Sequence, residues 1–180
     1  IKLINVKKRF ENKIIFNNLN FTIKAGQIYI LQGSSGVGKT TMLNMIYGYE
    51  KDYSGEIKKI SDKLKIEYLF QDDLIFNNIS VLENMKLKMI ADTRDNPDEE
   101  RIEQILKQFG ILDLKDTLTT KLSGGEKQRL KLSQMLLSDP DIILMDEPIS
   151  NLDKENADII TKLIEEIYSE KTLFIVTHDD

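Results

Sequence analysis

The residues with the clearest chemical potential lie in the segment GSSGVGKT, which runs from Gly33 to Thr40 and fits the spacing G-x-x-x-x-G-K-[ST]. Glycines at these positions let the backbone curl so that its N–H groups face phosphate oxygens, and the positive end of a following helix strengthens the attraction. Lys39 would reach the β- and γ-phosphates of a nucleotide, and the Thr40 hydroxyl would help to hold Mg²⁺. The spacing predicts mononucleotide binding but leaves the reaction open, because kinases and motors share this loop.

Two adjacent acids, Asp146 and Glu147 in the segment IILMDEP, form the second candidate group. The four apolar residues before them predict a buried strand that ends at Asp146, and open α/β sheets collect their ligands at such strand ends. Asp146 would hold Mg²⁺ through water, and Glu147 could accept a proton from an attacking water. A polar exit from a strand would look the same in isolation. The upstream phosphate loop favours the catalytic interpretation.

A second glycine-rich stretch, LSGGEKQR, begins at Leu122. Ser123 and Glu126 have the S-x-x-E spacing of a capping box, in which each side chain accepts a hydrogen bond from the other's backbone N–H, so a helix start is the simplest interpretation. A cap alone does not need Gly124 and Gly125, which each cost roughly 0.5–1 kcal/mol relative to alanine within a helix. The glycines therefore favour a close backbone approach to an anionic group.

Strands and helices must position these groups, and the apolar pattern predicts where they lie. Apolar and polar residues alternate over 19–24, which is typical of a half-buried strand. The run QIYILQ at 27–32 lies between two glycines and predicts a short buried strand that leads into the phosphate loop. A helix is predicted from about residue 39 to 47, ended by Gly48.

The middle of the chain has a different character. Residues 65–70 predict one more short strand, but 74–137 contain no convincing strand. Within this stretch Ser80–Glu83 is a capping box, and 96–98 caps a further helix. The apolar stripe of that further helix comprises Ile102, Ile105, Leu106 and Phe109.

Alternating strand and helix patterns return after Pro140, with IILMD, then a helix with an apolar stripe over 159–167, then the strand TLFIVT. Strands that alternate with helices at both ends of a chain imply a mostly parallel sheet. We predict an α/β fold: a P-loop NTPase core with a mostly parallel sheet, an N-terminal antiparallel β subdomain and an inserted α-helical subdomain. The expected boundaries are 1–180 for a single domain, 1–73 for the first part of the core, 74–137 for the helical subdomain and 138–180 for the rest of the core.

Composition narrows the function classes. The chain has 25 Lys and Arg against 30 Asp and Glu, and the signs are interspersed, so neither nucleic acid nor an anionic membrane surface is a predicted partner. Cysteine is absent, which excludes disulfides and thiolate metal sites and fits a reducing compartment such as the cytosol. No apolar run approaches the roughly 20 residues that span a bilayer, so another chain is expected to cross any membrane that this protein serves.

With these motifs in this order, the chain resembles a known family. The segment LSGGE, followed by KQRLKLSQMLLSDPDIILMDEP and preceded by the phosphate loop, is similar to the ATP-binding subunits of ATP-binding cassette (ABC) transporters. The pattern looks most like bacterial export or release cassettes for peptides, lipoproteins or drugs. The resemblance implies an ATPase that uses ATP and Mg²⁺. It also implies a cytoplasmic chain, peripheral on the inner face of the cell membrane through a transmembrane permease subunit.

The resemblance assigns roles to further residues. Phe10 would stack on adenine, and Gln71 would contact the region of Mg²⁺ and the attacking water. Asp153 would line the opposing subunit's site, and His178 would be a switch at the γ-phosphate. The implied nucleotide-binding residues are Phe10, Gly33, Ser34, Ser35, Gly36, Val37, Gly38, Lys39, Thr40, Thr41, Ser123, Gly124, Gly125 and Asp153. The implied catalytic residues are Glu147, His178, Lys39 and Gln71, and the implied metal-binding residues are Thr40, Gln71 and Asp146.

Members of this family pair head to tail, with each ATP held between the phosphate loop of one copy and the signature helix of the other. The resemblance therefore implies that Ser123 and Gly125 contact the γ-phosphate that is bound to the partner's Lys39. One copy would hold only half of each catalytic site. ATP would close the dimer and hydrolysis would open it, because ATP binds the closed state better than the open one.

Two alternatives stay open at this point. One is a non-transport ABC ATPase that serves DNA maintenance or translation, although such proteins carry a long coiled-coil insertion or tandem cassettes that 180 residues do not accommodate. The other is a small P-loop kinase, which the signature and the adjacent acids disfavour. Family members usually continue for another strand and helix after the switch histidine, so we expect either a shortened chain or an unusually short member.

Overall fold

The computed structural model describes residues 1–11, 13–70, 75–94 and 96–178. The chain forms two compact units. The first unit comprises Ile1–Tyr68, Asp141–Glu147 and Lys171–Asp180, and the second comprises Leu69–Pro140 and Pro148–Glu170. Within the described ranges, no helix is long and apolar enough to cross a bilayer.

An antiparallel sheet forms the N-terminal part of the first unit. Strand β1 (Lys2–Phe10) lies between β2 (Lys13–Thr22) and β4 (Ser54–Lys58) and pairs antiparallel with both. The strand register shifts around Asn5, whose φ of 50° marks an irregularity of the bulge type. The buried side chains of β1 are Leu3, Val6 and Lys8. The predicted antiparallel β subdomain is confirmed.

A second sheet is parallel, and the predicted phosphate loop and acidic residues lie at the ends of its strands. Its strands are β3 (Ile28–Gln32), β7 (Thr172–Thr177), β6 (Ile142–Asp146) and β5 (Ile66–Leu69), in that spatial order. β7 pairs in parallel with both β3 and β6. All positions of β6 are buried, as expected for a central strand of a parallel sheet. The prediction of a mostly parallel sheet is confirmed.

The strand before the phosphate loop is not buried, so that prediction was wrong. β3 lies at the end of the strand order, and its Ile28 and Ile30 are 48% and 62% exposed. The intervening Tyr29 faces inward and stacks on Phe174 of β7, with ring centroids 6.0 Å apart. An apolar run between two glycines predicts a strand, but it does not tell a central strand from an edge strand, because that depends on which strands pair.

Parallel pairing brings several strand ends to one edge of this sheet. Gln32, the last residue of β3, is paired with Thr177 of β7, and Asp146 of β6 is paired with Val176. Helix α1 (Lys39–Tyr47) follows the loop after β3 and packs on β6. The residues that follow these strands therefore lie close together although they are far apart in the sequence.

The second unit is built from helices. They are α2 (Val81–Thr93), α3 (Glu99–Gln108), α4 (Gly124–Met135) and α5 (Lys154–Ile167), with short 3₁₀ helices at Leu112–Leu114 and Thr119–Lys121. No strand occurs among the described residues between 75 and 137, where only an isolated bridge joins Ser80 to Leu118. The predicted helical segment is confirmed.

The core of the second unit is centred on aromatic and aliphatic side chains. Tyr168 is fully buried, its ring lies 6.2 Å from that of Phe109, and its hydroxyl donates a hydrogen bond to the carbonyl of Leu132 at 2.6 Å.

Asp98 caps α3 by accepting a hydrogen bond from the backbone N–H of Arg101. The predicted stripe of α3 is buried, as its members Ile102, Ile105, Leu106 and Phe109 all are.

Candidate functional site

The predicted phosphate-binding loop connects the end of β3 to the start of α1. Gly36 and Gly38 have φ angles of 75° and 105°, in the left-handed region that favours glycine. A Cβ atom on Gly38 would also overlap with the side chain of Ile15 in β2. Because Gly38 is the N-cap of α1, the first N–H groups of the helix face the loop, which is the geometry that binds phosphate.

Two lysine side chains donate hydrogen bonds to carbonyl groups of this loop. Lys39 is buried, and its Nζ donates to the carbonyl oxygens of Gly33 and Ser34, the latter at 3.1 Å. Lys13 of β2 donates from Nζ to the carbonyl oxygen of Gly36 at 2.7 Å. The motif predicts Lys39 but not Lys13, since a lysine within a strand carries no sequence signal.

An open cavity of about 330 Å³ is lined by this loop and by groups from other parts of the sequence. Its lining residues are Phe10, Lys13, Ile15, Ser35, Gly36, Gly38, Lys39, Thr40, Thr41, Glu147 and His178. Phe10 is 46% exposed, so a ligand in the cavity can reach its ring. The first unit therefore brings together the predicted base-stacking, phosphate-binding and catalytic residues in one concave site.

Glu147 and His178 contact each other at the rim of this cavity. Glu147 follows β6, its backbone N–H donates to the carbonyl oxygen of Val176 at 2.9 Å, and its φ of 53° is unusual for a residue other than glycine. His178 follows β7, and its Nε2 lies against Oε1 of Glu147. The Glu147 side chain is 12% exposed and that of His178 is 44% exposed. This arrangement can orient a water molecule beside the predicted phosphate-binding loop.

Asp146 is buried beside this pair, and its two carboxylate oxygens differ in their surroundings. Oδ2 accepts a hydrogen bond from the hydroxyl of Tyr68 at 3.4 Å. Oδ1 is buried and has no hydrogen-bond partner among the described residues. Burial and the nearby Asp146 carboxylate raise the pKa of the Tyr68 hydroxyl, which therefore remains a hydrogen-bond donor. A buried carboxylate oxygen without a donor suits a cation or a water bound to one.

The residues present fit the predicted Mg²⁺ ion. Asp146 supplies the orphaned oxygen, and Thr40 supplies a hydroxyl among the residues that line the cavity. No three His, Asp or Glu side chains gather as a metal site within the described ranges. A site with one carboxylate and one hydroxyl is typical of Mg²⁺ that is held chiefly by waters and nucleotide phosphates. Gln71, also predicted to bind the ion, lies outside the described residues.

In the second unit, Ser123 is the N-cap of α4, as the capping box predicts. The Ser123 hydroxyl accepts a hydrogen bond from the backbone N–H of Glu126 at 3.3 Å, and the Glu126 carboxylate accepts one from the N–H of Ser123 at 2.7 Å. The same reciprocal bonds occur at Ser80 and Glu83 at the start of α2. These two capping boxes have the same hydrogen-bond pattern, and the box at Ser123 contains glycines whereas the box at Ser80 does not.

The two glycines of the signature stretch are not equivalent. A Cβ atom on Gly125 would overlap with the carboxamide of Asn156 in α5, so packing within this unit already requires glycine there. A Cβ atom on Gly124 would meet only the Leu152 side chain, at an ordinary 3.9 Å. Packing within this unit therefore gives Gly125 a reason of its own and leaves Gly124 without one, and the inference that the glycines make room for an anionic group stays a prediction.

Asp153 caps helix α5. Its Oδ1 accepts a hydrogen bond from the backbone N–H of Asn156 at 2.9 Å, and its Oδ2 accepts one from the Asn156 carboxamide at 2.8 Å. These two bonds lower the pKa of Asp153. Asn156, which no motif pointed to, thus joins the predicted Asp153 loop to Gly125 of the signature helix.

The predicted site residues fall into three groups. Those of the first unit line the cavity, belong to the adjoining loop as the half-exposed Val37 does, or, in the case of Asp146, lie buried next to the lining residue Glu147. Those of the second unit are at the capped helix starts of α4 and α5: Ser123, Gly124, Gly125 and Asp153. Gln71 is not among the described residues, and its role stays a prediction.

Comparison with known proteins agrees with the geometry. The sequence profile of the family described as ABC transporter matches residues 16–150. The chain is 37% identical to the Fe(3+) ions import ATP-binding protein FbpC of Fusobacterium nucleatum, over 99% of this chain and 51% of that protein. It is 33% identical to the lipoprotein-releasing system ATP-binding protein LolD of Buchnera aphidicola, over 99% of this chain and 88% of that protein.

A solved structure has the same fold. The dimeric ATP-binding cassette MJ0796, in a post-hydrolysis state bound to ADP and Pi, superposes with a TM-score of 0.79 at 30% identity, over 99% of this chain and 88% of that one. This chain spans about half the length of the iron-import relative. The chain belongs to the ABC transporter family, and it is one of the family's ATP-binding, ATP-hydrolysing cassettes.

Proposed function

We propose that this chain powers an ABC transporter as one of two copies that close head to tail around two Mg-ATP. The observation that supports this most directly is the contact between Glu147 and His178 at the rim of the cavity that also contains Lys39. An acid and an imidazole beside a phosphate-binding lysine form an arrangement suited to hydrolysis, in which a water attacks the terminal phosphate.

The predicted stacking, phosphate-binding and catalytic residues of the cavity then have separate tasks. Phe10 stacks on the adenine, and Lys39 together with the N–H groups of the loop binds the β- and γ-phosphates. Glu147 accepts a hydrogen bond from the attacking water and takes its proton as the bond to phosphorus forms. His178 donates a hydrogen bond to the γ-phosphate and stabilises the charge that develops there.

Asp146 and Thr40 would hold Mg²⁺, and we propose that Gln71 joins them. Mg²⁺ bound there would supply a positive charge that neutralises the phosphate oxygens. Tyr68 donates to one oxygen of Asp146, so the other oxygen would be the one that binds the ion or its water.

We propose that the second unit completes the site of a partner copy. Ser123, Gly124 and Gly125, at the start of α4, contact the γ-phosphate bound to the partner's Lys39, and Gly125 also lets α4 pack closely on Asn156. Asp153 is connected to this helix start through its hydrogen bonds with Asn156, the residue that packs on Gly125. The relative MJ0796 is dimeric in its complex with ADP and Pi, which supports a shared site.

The remaining partner is a transmembrane permease subunit, which places this chain on the cytoplasmic face of the membrane. We propose that both units form one ATP-binding domain over 1–180. For the direction of transport we propose export or release, with a peptide, lipoprotein or drug as cargo. The support is the lipoprotein-release relative, which matches over 88% of its length; import relatives match as well, among them the iron-import protein over 51% of its length.

The dependence of ATPase activity on protein concentration tests the shared site. If each site needs two copies, the activity per milligram rises with concentration until the dimer is saturated, and light scattering with ATP detects dimers over the same range. Activity per milligram that stays constant where light scattering finds only monomers would contradict the proposal.

The transport assignment is tested by co-purification. The chain, expressed with the membrane protein encoded beside it, is expected to co-purify with it and to show higher ATPase activity in proteoliposomes. Accumulation of cargo on the side of the membrane where ATP is present would overturn export in favour of import. Failure to bind any multi-span membrane protein would overturn transport.

A further inference from the structure

A lysine outside the nucleotide cavity lies directly beneath its base-stacking ring. Nζ of Lys8 is 4.3 Å from the centroid of the Phe10 ring. The Lys8 side chain is 2% exposed, and Phe10, two residues further along β1, is 46% exposed. Phe10 is among the described residues that line the cavity and Lys8 is not. A buried ammonium therefore covers one face of a ring whose other surface is open.

Acidic groups from one loop hold this ammonium in place. Nζ of Lys8 lies 3.1 Å from Oε2 of Glu50 and 3.3 Å from Oδ2 of Asp52, and it donates to the carbonyl oxygen of Asp52 at 2.6 Å. Burial by itself would lower the pKa of Lys8. The hydrogen bonds and negative charges of Glu50 and Asp52 outweigh this effect, so the pKa of Lys8 is raised above its ordinary value. The charge under the ring is therefore permanent at neutral pH.

The loop that carries the acids is itself fixed by the end of α1. Gly48 ends this helix with a φ of 104°, and the backbone N–H groups of Gly48, Tyr49 and Glu50 all donate to the carbonyl oxygen of Asn44. The Glu50 carboxylate accepts a further bond from the N–H of Asp52 at 2.7 Å. The helix that starts at the phosphate loop thus positions, at its other end, the acids that hold Lys8.

We propose that Lys8 is a positioning residue for base recognition: its ammonium, clamped by Glu50 and Asp52, fixes the Phe10 ring by a cation–π contact and leaves only the opposite face for the adenine. A fixed ring loses less entropy when a base stacks on it, and a cation on the far face draws electron density from the ring, which favours an electron-rich purine. This inference rests on the proposed role of Phe10 in stacking on the base of ATP.

The test compares a ligand with a base to one without. The dissociation constants of ATP and of inorganic tripolyphosphate are measured by calorimetry for the unchanged chain and for Lys8→Met. We expect ATP binding to weaken about 3- to 10-fold, as the loss of a cation–π contact implies, with tripolyphosphate binding unchanged. Lys7→Met, which removes the neighbouring exposed lysine of the same strand, is the matched control and is expected to change neither constant.

A double variant shows whether Lys8 acts through the ring. In the Phe10→Ala background, Lys8→Met is expected to cause no further loss of ATP affinity. In the original background, Lys8→Arg is expected to lose less ATP affinity than Lys8→Met, because arginine keeps the positive charge. An equal loss for ATP and tripolyphosphate, or a full loss in the Phe10→Ala background, would overturn the inference in favour of a structural role. Unchanged ATP affinity in Lys8→Met would overturn it as well.

If circular dichroism shows that Lys8→Met does not fold, Glu50→Gln provides a second test. This variant keeps the ammonium and weakens its anchor, so a smaller loss of affinity is expected, again for ATP and not for tripolyphosphate. An affinity for ATP equal to that of the unchanged chain contradicts the inference. If the unchanged chain itself bound tripolyphosphate as tightly as ATP, base stacking by Phe10 would fail, and with it the proposed function of that residue.

Discussion

Nε2 of His178 lies against Oε1 of Glu147, so the two residues predicted separately to act at the γ-phosphate contact each other. Glu147 follows β6 and His178 follows β7, and the parallel pairing of these strands brings them together. Each side chain therefore restricts the orientation of the other. We expect replacements at these two positions to have effects that are not independent.

Glu147→Gln is expected to bind ATP and to form an ATP-dependent dimer, but to hydrolyse it about 10²- to 10⁴-fold more slowly, because the amide cannot take the proton of the attacking water. Phosphate release measures turnover, and light scattering measures the dimer. The control is Glu165→Gln, which changes an exposed acid of α5 and is expected to leave turnover unaltered. Normal steady-state ATPase activity in Glu147→Gln would contradict the assignment of Glu147 as the residue that accepts the proton of the attacking water.

The contact between Glu147 and His178 predicts a non-additive pair. His178→Ala is expected to lower turnover, because the γ-phosphate loses a donor and Glu147 loses its orienting partner. The variant with both Glu147→Gln and His178→Ala is expected to be little slower than Glu147→Gln alone, since residues that act as a unit lose their joint effect at the first replacement. Turnover numbers of the three variants form the cycle. A double variant whose loss equals the product of the single losses would show independent action.

The two capping boxes offer a matched comparison for the signature serine. Ser123→Ala and Ser80→Ala each remove an N-cap hydroxyl with the same hydrogen bonds, and each is expected to cost about 1 kcal/mol in the free energy of unfolding. Only Ser123→Ala is expected to lower ATPase activity and ATP-dependent dimerisation as well. Urea unfolding and light scattering separate the two effects.

A larger change at the same serine sharpens this comparison. Ser123→Arg is expected to leave ATP binding by the monomer largely intact while it abolishes the dimer and hydrolysis, because the bulky side chain occupies the space of the partner's nucleotide. If hydrolysis survives in this variant, or falls equally in Ser80→Ala and Ser123→Ala, the signature stretch is only a helix cap.

Alanine at the two signature glycines is expected to act in different ways. Gly125→Ala forces Asn156 away from Asp153 and is expected to lower the free energy of unfolding by about 1–2 kcal/mol, since overpacking outweighs the gain in helix propensity. Gly124→Ala is expected to be neutral or stabilising by up to about 1 kcal/mol, yet to weaken ATP-dependent dimerisation. Thermal unfolding and light scattering are the measurements. If Gly124→Ala forms the ATP-dependent dimer as readily as the unchanged chain, contact with a nucleotide does not explain the glycine at this position.

Acid is expected to destabilise the chain in part through Glu50. The backbone N–H of Asp52 and the ammonium of Lys8 hold the pKa of Glu50 below its ordinary value near 4.5. Because the folded-state pKa is the lower one, Glu50 stabilises the fold above that ordinary value, and this contribution is lost as the pH falls through the folded-state pKa. Urea unfolding at several acidic pH values is expected to show a shallower loss of stability in Glu50→Gln than in Glu165→Gln. Equal slopes in the two variants would contradict this role of Glu50.

Local patterns made the main elements of the site predictable. The phosphate loop and both capping boxes depend on side chains within a few residues of each other, so their spacing alone indicates their conformation. The end of β6 at Asp146 was predictable for a similar reason, because an apolar run bounded by a polar residue marks where a strand leaves the core. These features are confirmed at the predicted positions.

Other features depend on residues that are distant in the sequence and were not predicted. The edge position of β3, which exposes Ile28 and Ile30, follows from the strand order. The close approach of Asn156 to Gly125, which leaves no room for a Cβ atom, depends on how α4 packs against α5. The lysine under Phe10 is recognisable only when the loop after α1 brings Glu50 and Asp52 to it.

The sequence by itself therefore determined the motifs of this protein: a loop predicted to bind phosphate, an aspartate predicted to bind metal with a neighbouring glutamate, and a capped glycine pair, in the order of an ABC cassette. Only the tertiary structure decided which residues lie against each other, namely Glu147 and His178, Tyr68 and Asp146, Asn156 and Gly125, and Lys8 and Phe10. The physical reason is that motif spacing reports the local backbone, whereas most of these contacts arise from strand pairing and helix packing between segments far apart in the chain, and the Lys8 contact depends on acids from a distant loop.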